Sequence, residues 1–139
     1  MDGVFFEDLS VGQTASFGKT VTEADILMFA AVSGDTNPVH INAEAAAASM
    51  FKERIAHGML SAGFISAVLG TRLPGPGTIY LSQTLKFRAP VTIGQTVTAT
   101  VEVTALDAAK KRATLKTTCT AGGKVVIEGE ALVIPPSRG

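Results

Sequence analysis

The chain has 139 residues, of which 46% are hydrophobic and 17% are charged, a balance typical of one compact domain with an apolar core. This composition excludes a disordered or fibrous protein. Twelve basic and twelve acidic residues cancel, so no overall positive field attracts nucleic acid or an anionic membrane. We therefore expect residues 1–139 to form a single domain that binds neither nucleic acid nor a membrane.

The N-terminal segment MDGVFFEDLS carries acidic residues where a signal peptide carries basic ones. The longest stretch without a charged residue, from Gly58 to Thr71, is too short to span a bilayer. The single cysteine, Cys119, cannot form an intramolecular disulfide, and its place in an alternating strand pattern predicts a buried apolar residue. Together these observations predict a cytoplasmic protein.

The segment GQTASFGKTVT predicts a short first strand, and a helix is predicted to begin after Thr22. Thr22 is a favourable N-cap, and Asp25, three residues later, completes a capping box. Apolar residues then follow at helical spacing. Gly34 and the pair Asn37-Pro38 end the helix, because proline cannot continue the hydrogen-bond ladder and disfavours helix at the residue before it.

Two further helical segments follow. Asn42 is predicted to cap an alanine-rich segment that runs to about Met50. The later segment HGMLSAGFISAVLG has no charged residue from Gly58 through Gly70, and it carries apolar residues on most of its circumference. A helix that is apolar nearly all round is a buried helix.

From Ile79 onward the hydrophobic period changes from about 3.6 residues to about 2, which predicts strands. Apolar and polar residues alternate over four segments, at 79–88, 97–104, 113–119 and 125–133, and LDAAKK and AGGK are turn sequences. We predict an antiparallel meander with one covered face. The complete domain would be α+β, with a sheet of about five or six strands wrapped around the buried helix. Pairing in a homodimer would protect an exposed edge of this sheet.

The segment SGDTNPVH holds the main candidates for chemistry, Asp35 and His40. They follow a helix end in a region rich in turn formers, so their side chains could converge on one point. A carboxylate at the negative end of a helix dipole is a good proton acceptor, and an imidazole can hold or release a proton near neutral pH. Such a pair could activate one water without a metal. A second interpretation remains open, in which Asp35 and Asn37 are turn residues and His40 is a half-buried histidine.

The second histidine begins the predicted buried helix. The backbone N–H of Gly58 would lie at the helix N-terminus, where a carbonyl oxygen that gains negative charge is stabilised. Glycine there lets a substrate approach the backbone. We interpret His57 as a surface residue and assign it no chemistry. Ser66 is either a pocket wall or a small core residue whose hydroxyl bonds to the backbone.

Other classes of site lack support in the sequence. Two histidines and one cysteine at unrelated spacings form no zinc pattern. No glycine-rich phosphate-binding motif occurs in a strand-to-helix context. We therefore expect no metal site and no nucleotide cofactor.

The segment FAAVSGDTNPVHINAEAAAAS resembles the hydratase signature of MaoC-type proteins, in the group of (R)-specific enoyl-CoA hydratases with the hotdog fold. The segments AHGMLSAGFISAVLG and LPGPGTIYLSQTLKFRAPVTIGQTV extend the resemblance, which runs from about Phe17 to Val133. It implies an antiparallel sheet wrapped around a long central helix. It also implies an acyl-CoA substrate that enters along a homodimer interface, and no cofactor beyond the CoA of that substrate.

The resemblance implies reversible syn addition of water to a trans-2-enoyl thioester, which gives the (R)-3-hydroxyacyl thioester. Asp35 and His40 would hold the water, and the N–H of Gly58 would stabilise the enolate-like oxygen. The other implied residues would shape the catalytic turn or line the acyl pocket; they are Asn37 for the turn, and Ser66, Leu69 and Val133 for the pocket.

Three other functions fit the same residues. A dehydratase for acyl-carrier-protein thioesters would share the catalytic set and differ at the entrance. A hotdog thioesterase would direct the activated water at the thioester carbonyl instead. A non-catalytic acyl-CoA binding module would bind the same ligand without turnover.

Overall fold

A six-stranded antiparallel sheet and a central helix form the framework of the computed structural model, which describes residues 2–139. The helices are α1 (Glu23–Ser33), α2 (Pro38–Ile41), α3 (Ala43–Ala47) and α4 (Gly58–Thr71). The strands are β1 (Thr14–Thr20), β2 (Ile79–Gln83), β3 (Lys86–Phe87), β4 (Thr96–Asp107), β5 (Arg112–Ala121) and β6 (Lys124–Ile134). The predicted α+β class is confirmed.

The sheet has the strand order β1-β4-β5-β6-β2, and β3 also pairs with β6. The meander of β4, β5 and β6 is therefore as predicted. The segment 79–88 differs from the prediction, because it forms two strands and both pair with β6 rather than with β4. The strand is interrupted at Thr84, whose carbonyl oxygen lies 1.8 Å from the position that a Cβ on Gly129 would occupy. Only a glycine in β6 lets the backbone of Thr84 come this close.

Helix α4 lies against the covered face of the sheet and supplies one side of the core. Its buried side chains include Phe64, Ile65 and Val68. In β4, buried residues alternate with more exposed ones, and the alternate residues Val97, Ala99, Val101 and Val103 are fully buried. Each fully buried Val, Leu or Ile contributes about 1.5–3 kcal/mol relative to an exposed one, so this face holds the sheet on the helix.

Helix α1 begins as predicted, with a complete capping box. The Thr22 side chain accepts from the Asp25 N–H, and the Asp25 carboxylate accepts from the Thr22 N–H at 2.9 Å. A hydrogen bond from Lys19, with the bond from the Thr22 backbone, holds the pKa of the Asp25 carboxyl below its usual value. Helix α1 ends at Gly34, which has the left-handed φ of 80° that glycine tolerates. Asn42 caps α3, but that helix ends at Ala47 rather than near Met50.

Strand β2 is an edge strand with an exposed apolar surface. The side chains of Ile79 and Leu81 are 56% and 41% exposed, although their alternation with polar residues predicts a covered face. Among residues 2–139 these side chains are only partly covered, because α4 packs most closely against β4. Within residues 2–139, no helix has the length and apolar character needed to cross a membrane.

Candidate active site

The turn after α1 is held by local hydrogen bonds from backbone N–H groups to polar side chains. The Asp35 N–H donates to Ser33 Oγ, and the Asn37 N–H donates to Asp35 Oδ1 at 3.2 Å. Asn37 Oδ1 in turn accepts from the Val39 N–H at 3.2 Å. Asn37 is thereby the N-cap of α2, with Pro38 at the first helical position. The turn leaves the Asp35 carboxylate exposed and places His40 on a short helix that the sequence did not predict.

His40 is 8% exposed, and its ring orientation is determined by one hydrogen bond. Its Nδ1 lies 2.8 Å from the carbonyl oxygen of Ile55. A carbonyl oxygen only accepts, so Nδ1 carries a hydrogen and Nε2 is the nitrogen left to exchange a proton. The Arg54 side chain donates to the His40 carbonyl oxygen at 2.8 Å, which ties the backbone of α2 to the segment before α4.

His57 is buried, and its interpretation as a surface residue is wrong. Its ring is 2% exposed and stacks on the ring of His40 with the centroids 3.9 Å apart. The Phe29 ring of α1 lies 4.8 Å away, centroid to centroid. His57 Nε2 lies 2.9 Å from the backbone carbonyl oxygen of Asp35. The sequence carries no local signal for this placement, because the contacts come from residues on α1, on α2 and in the turn between them.

Asp35, His40 and Gly58 line one pocket of about 430 Å³ with mostly apolar walls. Gly58 is the first residue of α4, so its N–H is one of the free donors at that helix end. A Cβ on Gly58 would lie 2.5 Å from the ring of Phe87. The lack of a side chain therefore leaves room for the Phe87 ring beside the helix end.

Three other residues of this pocket have features that the sequence analysis missed. Ser61 is 1% exposed, and its Oγ has no hydrogen-bond partner among the described residues. Phe87 and Arg88 also lie in the lining. They come from β3 and the residue after it, and the exposed β3 was predicted only as part of a longer strand.

Ser66 does not share the pocket of Asp35. It lines a second pocket of about 460 Å³, together with Phe29, Tyr80 and Leu81. Met59 belongs to both linings, so its side chain lies where the two pockets approach each other. Of the two alternatives for Ser66, its exposed position on α4 favours a pocket wall over a core residue.

Leu69 and Val133 differ from the expectation that they line the acyl pocket. Leu69 is 1% exposed, Val133 is fully buried, and both belong to the core between α4 and the sheet. Neither lines either of these two pockets. The physical reason is their orientation: Leu69 is on the buried face of α4, and Val133 on an alternate, inward position of β6.

Asp35, His40 and His57 could be considered as a metal site, since one ligand atom from each lies within 4.8 Å of the others. The ring planes of the two histidines are only 28° apart. Their in-plane lone pairs therefore do not point toward one shared ion. Each ring also has one nitrogen engaged by a backbone carbonyl, which leaves at most one nitrogen per ring. The geometry suits proton transfer better than metal binding.

Comparison with known proteins identifies one family. Residues 8–128 match the family model of the MaoC like domain. An (R)-specific enoyl-CoA hydratase from Rhodospirillum rubrum is 65% identical over 97% of this chain and 94% of its own. A 3-hydroxybutyryl-CoA dehydratase from Methylorubrum extorquens is 52% identical over 97% of this chain and 86% of its own.

A solved structure agrees with these relatives. The unliganded R-hydratase from Pseudomonas aeruginosa superposes with a TM-score of 0.93 and 47% identity, over 98% of this chain and 88% of that one. The predicted hotdog fold is confirmed by this likeness. A mitochondrial 3-hydroxyacyl-[acyl-carrier-protein] dehydratase from Arabidopsis thaliana is more distant, at 35% identity over 93% of this chain and 79% of its own.

Proposed function

Since the chain belongs to the MaoC-like domain family, we propose that it is an (R)-specific enoyl-CoA hydratase. It adds water reversibly to a trans-2-enoyl-CoA and gives the (R)-3-hydroxyacyl-CoA. The observation that carries this proposal is the meeting of the Asp35 carboxylate, the His40 ring and the Gly58 helix end on one pocket. The 65% identity to an (R)-specific enoyl-CoA hydratase supports the choice of reaction.

The reacting water lies between Asp35 and His40. Asp35 accepts a proton from the water while the oxygen of that water forms the bond to C3 of the enoyl group. His40 Nε2 orients the same water. The proton then returns from this pair to C2. Because the hydroxyl group and the proton come from one water held at one face of the double bond, the addition is syn.

The thioester oxygen gains negative charge when C3 is attacked, since the electrons of the double bond move toward the carbonyl. The Gly58 N–H at the start of α4 donates to this oxygen, where the helix dipole also favours negative charge. Asn37 keeps the catalytic turn in shape through its cap of α2. The reaction needs no metal and no cofactor other than the CoA of the substrate.

Two pockets are candidates for binding the acyl chain. The apolar lining of the first pocket, which includes Ile55, Val91 and Ile127, can hold the carbons next to the thioester. Ser66 and the second pocket lie beyond Met59 and would receive the end of a longer chain. Leu69 and Val133 support these walls from the core rather than by contact with the acyl chain.

A homodimer is part of this proposal. The edge strand β2 exposes Ile79, Tyr80 and Leu81, and the last two also line the second pocket. Pairing of this surface with a second copy would bury the apolar side chains and protect the open edge. The proposal also includes residues 1–139 as one hydratase domain, supported by a continuous sheet and one core cluster, and a cytoplasmic location, supported by the single cysteine.

The test is an assay of the purified protein with crotonyl-CoA. We expect the absorbance of the enoyl thioester to fall without release of free thiol, and chiral analysis to identify the (R)-3-hydroxy product. Thiol release would indicate a thioesterase instead, and neither signal would indicate a binding module. The 35% identical acyl-carrier-protein dehydratase makes that activity the second candidate. It is favoured only if crotonyl-acyl carrier protein is turned over with a higher kcat/KM than crotonyl-CoA.

A further inference from the structure

His57 is joined to Asp35, His40 and Gly58, although the sequence assigned it no chemistry. Its Nε2 lies 2.9 Å from the carbonyl oxygen of Asp35, its ring stacks on the ring of His40, and its own carbonyl carbon is bonded to the nitrogen of Gly58. With 2% of its surface exposed, it is held between Phe29 and His40. A displacement of this one side chain would therefore move all three groups relative to one another.

The hydrogen bonds determine which form of the His57 ring is present. A backbone carbonyl oxygen only accepts, so Nε2 carries the hydrogen. Nδ1 is buried and has no hydrogen-bond partner among residues 2–139. His57 Nε2 is therefore the donor that holds the backbone of Asp35, and Nδ1 makes no competing bond.

His57 also contacts the ring of His40. The two rings are stacked with their centroids 3.9 Å apart. His40 Nδ1 is engaged by the Ile55 carbonyl oxygen, so its Nε2 is the nitrogen left to contact the reacting water. The charged groups that face this pair are the Asp35 carboxylate and the Arg54 side chain, which donates to the His40 carbonyl oxygen.

From these contacts we infer that His57 is a positioning residue for the hydration reaction. Its Nε2–H holds the peptide of Asp35 beside the ring of His40, so that carboxylate, imidazole and the Gly58 N–H keep one arrangement in the pocket. This inference rests on the proposed hydratase function. His57 itself exchanges no proton with the substrate.

Two amide variants test whether the position of the N–H donor, rather than the size of the side chain, determines activity. Glutamine in His57→Gln places an amide N–H near the position of Nε2, whereas the shorter asparagine in His57→Asn places it near Nδ1 and does not reach Asp35. We expect His57→Gln to retain at least about a fifth of the wild-type kcat with crotonyl-CoA, and His57→Asn to lose at least about thirtyfold, since small misplacements of reacting groups are this costly. KM should change less than about threefold in both, because the contact is with catalytic groups and not with the CoA ester.

Several results would overturn the inference: equal kcat values in the two variants, a near-wild-type His57→Asn, or a rise in KM with kcat unchanged. Thermal unfolding of each variant checks that the fold is intact. If His57→Asn does not fold, His57→Phe replaces it, because phenylalanine keeps a ring beside His40 but has no donor; a kcat within about threefold of wild type would then contradict the inference.

A spectroscopic measurement tests His57 without any turnover. The chain has only two histidines, so nitrogen-15 NMR of the imidazole rings gives two ring systems that His57→Gln assigns directly. At pH 7 we expect a hydrogen on Nε2 of His57, bonded to the Asp35 carbonyl oxygen, and a hydrogen on Nδ1 of His40. A His57 ring without a hydrogen on Nε2 would overturn the inference. Failure of the wild-type protein to hydrate crotonyl-CoA would instead contradict the proposed function, and the NMR result would distinguish the two failures.

Discussion

The ring of His40 stacks on the ring of His57, with the centroids 3.9 Å apart and the planes 28° apart. One nitrogen of each ring is engaged by a backbone carbonyl, from Ile55 for His40 and from Asp35 for His57. The nitrogen that remains on His40 is Nε2, and His40 shares a pocket with the Asp35 carboxylate. In the proposed mechanism His40 therefore acts with Asp35 on the water, and His57 holds the arrangement.

The first prediction concerns the two groups that hold the water. Asp35→Asn and His40→Gln should each lower kcat for crotonyl-CoA hydration by at least about a hundredfold, because removal of a general acid or base has this effect. Thermal unfolding should show a folded protein in both cases. Glu53→Gln is the matched control, since it makes the same carboxylate-to-amide change at an exposed site outside the pocket. A wild-type rate in either site variant would contradict the mechanism.

A second prediction concerns the helix end at Gly58. A Cβ there would lie 2.5 Å from the Phe87 ring, which is 54% exposed and can move aside. Gly58→Ala should therefore fold, but the added methyl and displaced ring should block the approach to the N–H. We expect kcat/KM for crotonyl-CoA to fall at least about a hundredfold, the lower end of the range found on loss of one oxyanion donor.

Gly70→Ala is the control for this variant, because a Cβ at Gly70 meets no atom within 4 Å and the residue is on the same helix. Alanine is favoured over glycine in a helix interior by about 1 kcal/mol, so Gly70→Ala should be at least as stable as wild type and fully active. Equal activity of Gly58→Ala and Gly70→Ala would exclude the proposed role of the Gly58 N–H.

The third prediction concerns the thiol of Cys119. Burial raises its pKa from 9.0 to about 12. The native thiol should therefore not react with a thiol reagent at about pH 8 under conditions that fully modify the unfolded chain. A folded pKa above the unfolded value means that the contribution to stability is complete below about pH 9 and is lost as the pH rises toward 12.

Chemical unfolding at about pH 8 and about pH 10.5 measures this pH dependence, with Cys119→Ala as the reference that has no thiol. The wild-type free energy of unfolding should fall more than that of the variant. A parallel change in both proteins would contradict the raised pKa, and rapid modification of the native thiol would show that Cys119 is accessible.

A fourth prediction concerns the exposed edge strand. Light scattering should give twice the chain mass of 14.3 kDa. Ile79→Glu places a carboxylate on the exposed apolar side of β2 and should shift the protein to the monomer mass, since burial of an unpaired charge is unfavourable. Val11→Glu, on a 64% exposed residue before β1 at the opposite edge of the sheet, should stay dimeric. A monomeric wild type would exclude the dimer, and a dimeric Ile79→Glu would exclude β2 from its interface.

The predicted helix ends agree closely with the structure where the signal is local. Thr22 and Asp25 form the capping box, Gly34 ends α1, and Asn42 caps α3, because each of these bonds joins residues only a few positions apart. The alternation in β4 likewise predicts its buried face, since successive side chains of a strand point to opposite sides.

The sequence alone was less informative about pairing and burial. It predicted one strand for 79–88, whereas the close contact between Thr84 and Gly129 divides the segment into β2 and β3. It placed Leu69 and Val133 in the acyl pocket, whereas both pack in the core. In each case the outcome depends on a neighbour that is distant along the chain.

His57 illustrates the same limit at the site itself. Composition, helix caps, hydrophobic period and the motif around Asp35 and His40 together determined the fold class and the candidate pair. The role of His57 was decided only by the tertiary structure, because its bond to the Asp35 carbonyl joins residues 22 positions apart. Packing of α1, α2 and α4 brings these groups together, and the spacing of residues along the sequence does not predict that contact.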